Sequence, residues 1–258
     1  RLVGLYSTCL RSIVHLAALA RVTPCEETPT QCRRDNEGSA AALVAALRSA
    51  NRTDVPVLFT SSREVYGGTD DGSAVTEETE LAPISEYGRA KVAAERLLRG
   101  SLTRVGVVRL TNLYGRWGDW ATRLVPSLVC RAMSGDPLVV VGGETTTLNL
   151  LRYVDAARAL VKVLTMVEEG VAPDVLNVGS DEVWTVAQVA SLVRTLTGSV
   201  STVVEVARPA YVSSRYDVAL TRQHEVLGGD VERRTVTEGI REFVEGWPYG
   251  ERMCEERT

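Results

Sequence analysis

The chain has 258 residues, 45% of them apolar, which is enough to build a sizeable core in one large domain or two small ones. Its net charge is −4 and it has no run of basic residues, so a nucleic-acid partner is not favoured. No apolar run reaches the roughly 18 residues of a membrane span, so we expect no membrane partner. The five cysteines are scattered and the chain has two histidines. We therefore expect no metal site, no disulfide framework and a reduced, cytoplasmic compartment.

Short apolar runs alternate with longer helical patterns along the chain. The pattern predicts, in order, a strand over 13–18, a helix over 32–49, a strand over 55–60, a polar loop over 67–83, a helix over about 85–99, a strand over 105–110, a helix over 121–133, a strand over 137–141, a helix over 154–167, a strand over 175–178, a helix over 185–197, a strand over 202–206 and a helix over 235–245. This alternation favours an α/β protein with a mostly parallel sheet whose two faces are covered by helices.

Lysine is rare in this chain, and its position is informative. Only two of the 29 basic residues are Lys, and one of them, Lys91, stands four residues after Tyr87. On a helix that spacing puts a phenol and an ammonium on one face. The spacing alone also fits a solvated lysine beside a buried tyrosine.

A second polar feature follows the strand predicted over 55–60. The hydroxyl-rich segment Thr60-Ser61-Ser62 stands at its carboxyl end, where parallel sheets bind ligands. A polar turn at a strand end would have the same composition. Combined with Tyr87 and Lys91, however, Ser62 suits the oxidation of a secondary alcohol. Tyr87 would be the base once its pKa is lowered by about three units from about 10, Lys91 would favour the phenolate, and Ser62 would orient the alcohol.

Here the chain resembles a known family. The order Ser-x-x-x-Tyr-Gly, then Tyr-x-x-x-Lys, resembles the extended short-chain dehydrogenases/reductases of the NAD-dependent epimerase/dehydratase group. Four further segments resemble that family in order and spacing: His15-Leu16-Ala17-Ala18, Asn36-Glu37-Gly38, Arg109-Leu110-Thr111-Asn112-Leu113-Tyr114-Gly115 and Leu176-Asn177-Val178-Gly179-Ser180. The resemblance implies a Rossmann-type parallel sheet with a small C-terminal α/β substrate lobe. It assigns residues 1–115 to the dinucleotide-binding domain and 116–258 mainly to the substrate lobe, with about 150–180 returning to the sheet.

The resemblance also implies a site, a cofactor and partners. Its catalytic residues would be Ser62, Tyr87 and Lys91. NAD would contact Leu16, Ala17, Ala18, Ser61, Tyr87 and Lys91, and a nucleotide sugar would contact Glu64, Asn112 and Arg208. Asp217 falls where such enzymes place phosphate contacts. A homodimer could form through the helices over about 32–49 and 85–99.

The family's opening glycine motif, Gly-x-x-Gly-x-x-Gly, does not occur in the chain. Those glycines let the backbone approach the pyrophosphate of a dinucleotide. The first matching residues resemble the family's fourth strand, so about two βα units, on the order of 60 residues, are expected to be absent. Either the sequence is truncated or the gene has lost its cofactor half. We accordingly expect the chain as given to bind NAD weakly.

Two further departures bear on the substrate. Dehydratases of the family place Asp-Glu after the catalytic hydroxyl, whereas this chain has Arg63-Glu64. A phosphate-binding Arg of the family is replaced by Asn149, with Arg152 as a possible substitute. We therefore predict a nucleotide-sugar 4-epimerase similar to UDP-glucose 4-epimerase. The alternatives are a dehydratase or decarboxylase, a carbonyl reductase of the same family, or an inactive scaffold.

Overall fold

A computed structural model describes residues 9–68, 73–115, 122–213, 217–228 and 234–246. Its helices and strands in chain order are β1 (Ile13–His15), α1 (Val22–Glu27), α2 (Pro29–Ser49), β2 (Val57–Ser62), a 3-10 turn (Arg63–Val65), α3 (Glu86–Ser101), β3 (Val105–Leu110), β4 (Asn112–Tyr114), α4 (Leu124–Ser134), β5 (Leu138–Val141), β6 (Thr147–Arg152), α5 (Tyr153–Glu169), β7 (Val175–Val178), β8 (Val183–Thr185), α6 (Val186–Thr197), β9 (Val203–Val206), α7 (Thr221–Leu227) and α8 (Val236–Glu245).

A parallel sheet with the order β1-β2-β3-β7 joins three strands of the N-terminal half to β7 of the C-terminal half. β2 pairs with both β1 and β3, and β3 pairs with β7, all in parallel. The strands of such a sheet need crossover connections, which the intervening helices provide. The predicted α/β Rossmann-type fold with a parallel sheet is thus confirmed.

Helices cover both faces of this sheet because its strands are apolar on both sides. Val57, Phe59 and Val107 point to one face, where they pack with side chains of α2 and α3. Leu58 and Val108 point to the other face and pack against α5. This alternation along each strand follows from the two-residue period of β structure.

A second core lies in the C-terminal half. It joins side chains of α4, β5, β6, α6 and α8, among them Leu128, Leu138, Val189 and Ile240. Two small sheets frame it, one with the order β4-β6-β8 and one in which β5 pairs with β9. The division of the chain into two domains near residue 115 stays a prediction.

Several elements differ from those predicted. β1 ends at His15 rather than residue 18, and Leu16 beyond it is exposed. β2 begins after Pro56 and runs through Ser62, two residues later than expected. Proline lacks a backbone N–H for the ladder, whereas the backbone of Ser61 and Ser62 pairs with Arg109 and Leu110 of β3 and so extends the strand. The short helices α1 and α7 and the strands β4, β6 and β8 were not predicted.

The expectation that the chain carries no disulfide was wrong. Cys25 and Cys32 are disulfide-bonded, with their Cα atoms 4.9 Å apart. The two cysteines are seven residues apart in sequence, on the consecutive helices α1 and α2. The unpredicted helix α1 is what turns the chain and brings them together.

Candidate active site

The candidate site lies where the strands of the parallel sheet end. Ser62 at the end of β2 is paired with Leu110 at the end of β3, and Leu110 is paired with Val178 of β7. A cavity of about 510 Å³ opens there, and its lining includes Ser62, Tyr87 and Lys91. The three residues that the sequence singled out therefore converge on one cavity.

Ser62 also shapes the turn that follows β2. Its Oγ accepts a hydrogen bond from the backbone N–H of Glu64 at 3.3 Å and so caps the 3-10 turn. The turn places Arg63 and Glu64 in the lining of the cavity, and Arg63 is 4% exposed. An ion pair of 3.8 Å joins the Arg63 Nε to the Glu64 Oε1.

Helix α3 supplies the other two residues. Ser85 caps its N-terminus, where the Ser85 Oγ accepts from the Gly88 N–H at 3.0 Å. A Cβ on Gly88 would lie 2.4 Å from the carbonyl oxygen of Glu64, so only glycine lets the helix approach the turn this closely. The cap and this contact fix the first turn of α3, and with it Tyr87, against Ser62 and Glu64.

Lys91 is buried beneath the cavity, 3% exposed. Its Nζ donates to the carbonyl of Thr60 at 2.9 Å and lies 4.8 Å from the ring centroid of Phe59 and 5.7 Å from that of Tyr87. Burial lowers the pKa of Lys91 to about 8, and the charge of Glu95, one turn further along α3, opposes that shift. The pKa of the Lys91 ammonium therefore lies close to neutral pH.

The expected acidification of Tyr87 by Lys91 is not what the structure shows. Burial raises the pKa of Tyr87 above its ordinary value, and the negative charge of Glu64 adds to the rise. A hydrogen bond with Ser62 and the charge of Arg123 pull the pKa of Tyr87 back down. The physical reason is that Tyr87 is enclosed by protein, which penalises the phenolate.

A buried polar network supports α3 from the sheet. The Arg109 guanidinium on β3 forms two hydrogen bonds with the Glu95 carboxylate, at 3.1 and 2.8 Å. Arg109 also donates to the Tyr66 hydroxyl at 2.8 Å, which donates to the Asn177 Oδ1 at 2.7 Å. The network links α3, β3, β7 and the turn after β2, which together frame the site.

Most of the remaining predicted cofactor and substrate contacts line the cavity. Leu16, Ala18, Ser61, Glu64 and Asn112 line it. The carbonyl of Ala17 instead accepts a hydrogen bond from the Ser39 hydroxyl at 3.4 Å. The Oδ1 of Asn112 is buried and has no hydrogen-bond partner among the described residues, so it can accept a bond from a ligand.

Some predicted substrate contacts lie outside the cavity linings. Arg208 is exposed and donates to the carbonyl of Val212. Asp217 accepts from the Thr147 hydroxyl at 3.0 Å. Arg152 forms an ion pair of 2.6 Å with Glu242 rather than facing the site. The assignment of Arg208 to the substrate therefore stays a prediction.

A second cavity of about 450 Å³ adjoins the first. Arg63, Glu64 and Asn112 line both cavities. The second cavity is otherwise lined mainly by apolar side chains, with polar groups that include Arg131 and Thr146. Sequence reasoning missed Arg131, and it also missed Arg123 in the first cavity. Arginine is the chain's ordinary cation, so no rarity marked these two.

No helix in the described ranges is long and apolar enough to cross a membrane. Across the same residues, no three His, Cys, Asp or Glu side chains are grouped so that they could hold a metal ion.

Residues 6–179 match the family described as NAD dependent epimerase/dehydratase family. A dTDP-glucose 4,6-dehydratase from Neisseria gonorrhoeae is 33% identical over 183 residues, which are 65% of this chain and 51% of that protein. The chain spans about half the length, or less, of the first curated relatives that it matches.

Two solved structures are similar over most of the chain. TunA, an NAD-dependent NDP-hexosamine 5,6-dehydratase of tunicamycin biosynthesis, has a TM-score of 0.84 and 26% identity, covering 95% of this chain and 80% of that one. MoeE5 in complex with UDP-glucuronic acid and NAD has a TM-score of 0.81 and 27% identity, covering 93% and 80%. Since the family matches well over half of its residues, the chain belongs to the NAD-dependent epimerase/dehydratase family.

Proposed function

We propose that the protein catalyses NAD-dependent oxidation and reduction at the 4-position of a nucleotide sugar, with 4-epimerisation as the net reaction. The observation that carries the proposal is the convergence of Ser62, Tyr87 and Lys91 on one cavity at the carboxyl ends of parallel strands. Oxidation of a secondary alcohol needs a base for the hydroxyl proton and an acceptor for the hydride. Side chains of the cavity would supply the base, and a nicotinamide would supply the hydride acceptor.

The first cavity has the groups that the nicotinamide end of NAD requires. Leu16 and Ala18 form an apolar part of its wall. The Oγ of Ser61 and the Oγ1 of Thr111 are buried in the lining without a hydrogen-bond partner among the described residues. Lys91 would hold the nicotinamide ribose. When bound, NAD supplies the hydride acceptor for the first half of the reaction and the hydride donor for the second.

The side chains would handle the proton. Ser62 would orient the 4-hydroxyl of the sugar, and Tyr87 would take its proton and later return it to the same oxygen, while hydride returns to the other face of C4. Burial raises the pKa of Tyr87, so the reaction needs positive charge near the ring to favour the phenolate. Arg123 lines the same cavity and contributes such a charge. Asn112 and Arg208 would hold the diphosphate.

Arg63 favours epimerisation over 4,6-dehydration. Loss of the 6-hydroxyl as water needs an acid beside that oxygen. Dehydratases of the family place Asp directly after the catalytic hydroxyl, and this chain has Arg63 at that position. A guanidinium keeps its proton in proteins and cannot serve as that acid. An epimerase needs no such acid, because the 4-keto sugar only has to turn before it is reduced.

A dehydratase or decarboxylase is the second candidate, and Glu64 favours it. The carboxylate of Glu64 acts on the pKa of Tyr87, so it lies beside the base. A ketone at C4 makes the proton on C5 acidic, and a carboxylate there could remove it. The similarity to a dTDP-glucose 4,6-dehydratase and to a 5,6-dehydratase supports the same candidate.

Product analysis in D₂O separates the two candidates. The protein is incubated with NAD and the UDP or dTDP derivative of glucose or of glucuronic acid, since only the uronic acid carries a carboxylate that a decarboxylase could remove, and products are followed by proton NMR. Epimerisation by return of the same hydride gives the 4-epimer without deuterium on carbon. Elimination gives a dehydrated keto sugar with deuterium at C5, and that product would replace the first proposal by the second.

Tyr87→Phe tests the mechanism itself. It should lower kcat by on the order of 10²- to 10⁴-fold, the usual contribution of a positioned acid–base group. Tyr153→Phe is the matched control, because Tyr153 is partly exposed and belongs to neither cavity lining. Undiminished turnover by Tyr87→Phe would exclude the mechanism. A wild-type protein without turnover would favour the inactive scaffold, whereas turnover that UDP-sugars do not inhibit would favour a carbonyl reductase.

A cytoplasmic location and a homodimer formed through α2 and α3 stay predictions. The dimer is testable by light scattering of the purified protein.

A further inference from the structure

The disulfide between Cys25 and Cys32 belongs to the packing around the candidate base. Both cysteines are fully buried, and they form one hydrophobic cluster with Tyr87 and Ala90 of α3. Val22 of α1 packs against the same cluster. The bond therefore joins α1 to α2 within the cluster that encloses the side chain of Tyr87.

Helix α1 also forms part of the cavity wall. Val22, Thr23 and Pro24 line the first cavity, and Cys25 is the next residue along the helix. The helix has only six residues, and its N-terminus has no side-chain capping hydrogen bond. A helix this short is not stable by itself and depends on tertiary contacts. The disulfide supplies a covalent contact, which attaches this part of the wall to α2.

Glu86, the residue before Tyr87, is in contact with both disulfide-linked helices. Its backbone N–H donates to the Glu26 Oε1 of α1 at 2.6 Å, and its carboxylate forms an ion pair of 3.0 Å with Arg33 of α2. Glu26 follows Cys25 in the chain, and Arg33 follows Cys32. A change in the position of α1 on α2 is therefore transmitted to the first turn of α3, which carries Tyr87.

Asn36 lies beside the two sulfur atoms. Its Nδ2 is 3.5 Å from the Cys32 Sγ and 4.0 Å from the Cys25 Sγ, and it donates to the Cys32 carbonyl at 2.9 Å. The Oδ1 of Asn36 is buried and has no hydrogen-bond partner among the described residues. A disulfide has no hydrogen to donate, whereas a thiol can donate to an amide oxygen. The surroundings can therefore accommodate the reduced pair as well as the bonded one.

We infer that the Cys25–Cys32 disulfide is a redox control of the candidate site, active when the bond is closed. For its effect on turnover this inference rests on the proposed function. A dithiol opens the bond when its thiolate attacks one cysteine sulfur and its second thiol then displaces that cysteine from the mixed disulfide. Two electrons and two protons pass to the cysteines, which become thiols, and the dithiol becomes a cyclic disulfide. Reduction releases α1 from α2 and loosens the cavity wall and the first turn of α3.

Hydrogen–deuterium exchange tests this link without relying on turnover. The wild-type protein is treated with excess dithiothreitol, and alkylation followed by mass spectrometry reports whether Cys25 and Cys32 have become thiols. We expect faster amide exchange in α1 and in the first turn of α3, and unchanged exchange in α5, which packs on the other face of the sheet. Unchanged exchange in α1 after reduction, or a bond that stays closed in excess dithiol, would overturn the inference.

Variants separate this disulfide from a second one. Cys130 is also disulfide-bonded, so the reductant acts there too. Cys25→Ala, Cys32→Ala and the double variant all remove the same bond, so each should lower kcat by the same factor and show no further response to the dithiol. That factor should be on the order of 10- to 100-fold, because a displacement of about 1 Å can cost about 10²-fold in rate. Cys130→Ala is the matched control and should respond to the dithiol as the wild type does.

Thermal unfolding of each variant reports whether it folds. A cysteine variant that folds and keeps the full kcat, or a Cys130→Ala protein that no longer responds to the dithiol, would show that the Cys25–Cys32 bond does not control the site. A disulfide that only stabilises the fold would lower Tm without changing kcat well below Tm or exchange in α3, and that result also overturns the inference. If no form of the protein turns over a nucleotide sugar, the proposed function fails, whereas the exchange experiment still decides this inference.

Discussion

Lys91 should make the folded protein less stable than it would be with an apolar side chain. Burial lowers its pKa from 10.5 to about 8, and that shift corresponds to a cost of about 3 kcal/mol at pH 7. Lys91→Met keeps the length of the side chain and removes the charge. It also removes the hydrogen bond to the Thr60 carbonyl, which is worth about 1 kcal/mol. We expect a net gain of about 2 kcal/mol, or about 5 °C in Tm.

The pH dependence of this gain has a definite sign. The unfolded lysine keeps its proton up to pH 10.5, whereas the folded one loses it near pH 8. Between these values the unfolded state binds more protons, so the wild-type free energy of unfolding rises with pH. The free-energy cost of burying the Lys91 ammonium is fully present below about pH 8 and disappears as pH approaches 10.5. The gap between Lys91→Met and wild type should therefore shrink from pH 7 to pH 10.

Differential scanning fluorimetry between pH 7 and pH 10 measures the gap. Lys162→Met is the matched control, because the Lys162 Nζ also donates to a backbone carbonyl, that of Leu227, but from a partly buried position on α5. It should not stabilise the protein. Lys91→Met should also abolish turnover, so that stability and activity move in opposite directions. A lower Tm at pH 7, or a gap that does not change with pH, would refute the reasoning.

Two other substitutions test the contacts that hold α3 in place beside the site. Glu95→Gln removes the carboxylate that pairs with Arg109 in the interior and leaves a buried charge uncompensated. It should lower the free energy of unfolding, measured in urea, by about 3 to 5 kcal/mol. A loss under about 1 kcal/mol would contradict this. Gly88→Ala puts a Cβ 2.4 Å from the carbonyl oxygen of Glu64, so α3 must retreat from the turn and kcat should fall roughly 10²-fold. Gly100→Ala, in the same helix with no atom within 4 Å, is its control and should leave kcat unchanged.

The parallel sheet could be predicted because its strands carry their own signal. β3 and β7 have the predicted bounds, since apolar residues predominate in each around a single polar residue, Arg109 in β3 and Asn177 in β7. β2 was placed two residues early because Ser61 and Ser62 look like a polar turn in sequence. The backbone of Thr60 and Ser61 continues the ladder to β3, and inside the sheet the Thr60 Oγ1 donates to the His15 carbonyl at 3.1 Å. The composition of a segment does not show whether its buried polar groups will find hydrogen-bond partners.

The site could be predicted only in part, for a related reason. Lys91 was found because lysine is rare in the chain. Arg63 was noticed because it departs from a family pattern. Arg123 and Arg131 carry no such mark, and only the three-dimensional arrangement brings them to the cavities. The pKa of Tyr87 was misjudged because the spacing to Lys91 gives a shared face but not the depth of burial, and burial is the larger effect.

One helix face explains why a lysine is needed at this position. Tyr87, Lys91 and Glu95 follow one another at four-residue intervals on α3, so they form a stripe that runs from the cavity into the interior. At its inner end Glu95 is held by Arg109, which fixes a negative charge one turn below Lys91. That charge favours the ammonium while burial disfavours it, and the balance leaves the pKa of Lys91 at about 8. An arginine in its place would stay charged at every pH and carry a broader head group, so neither the balance nor the contact with the Thr60 carbonyl would survive.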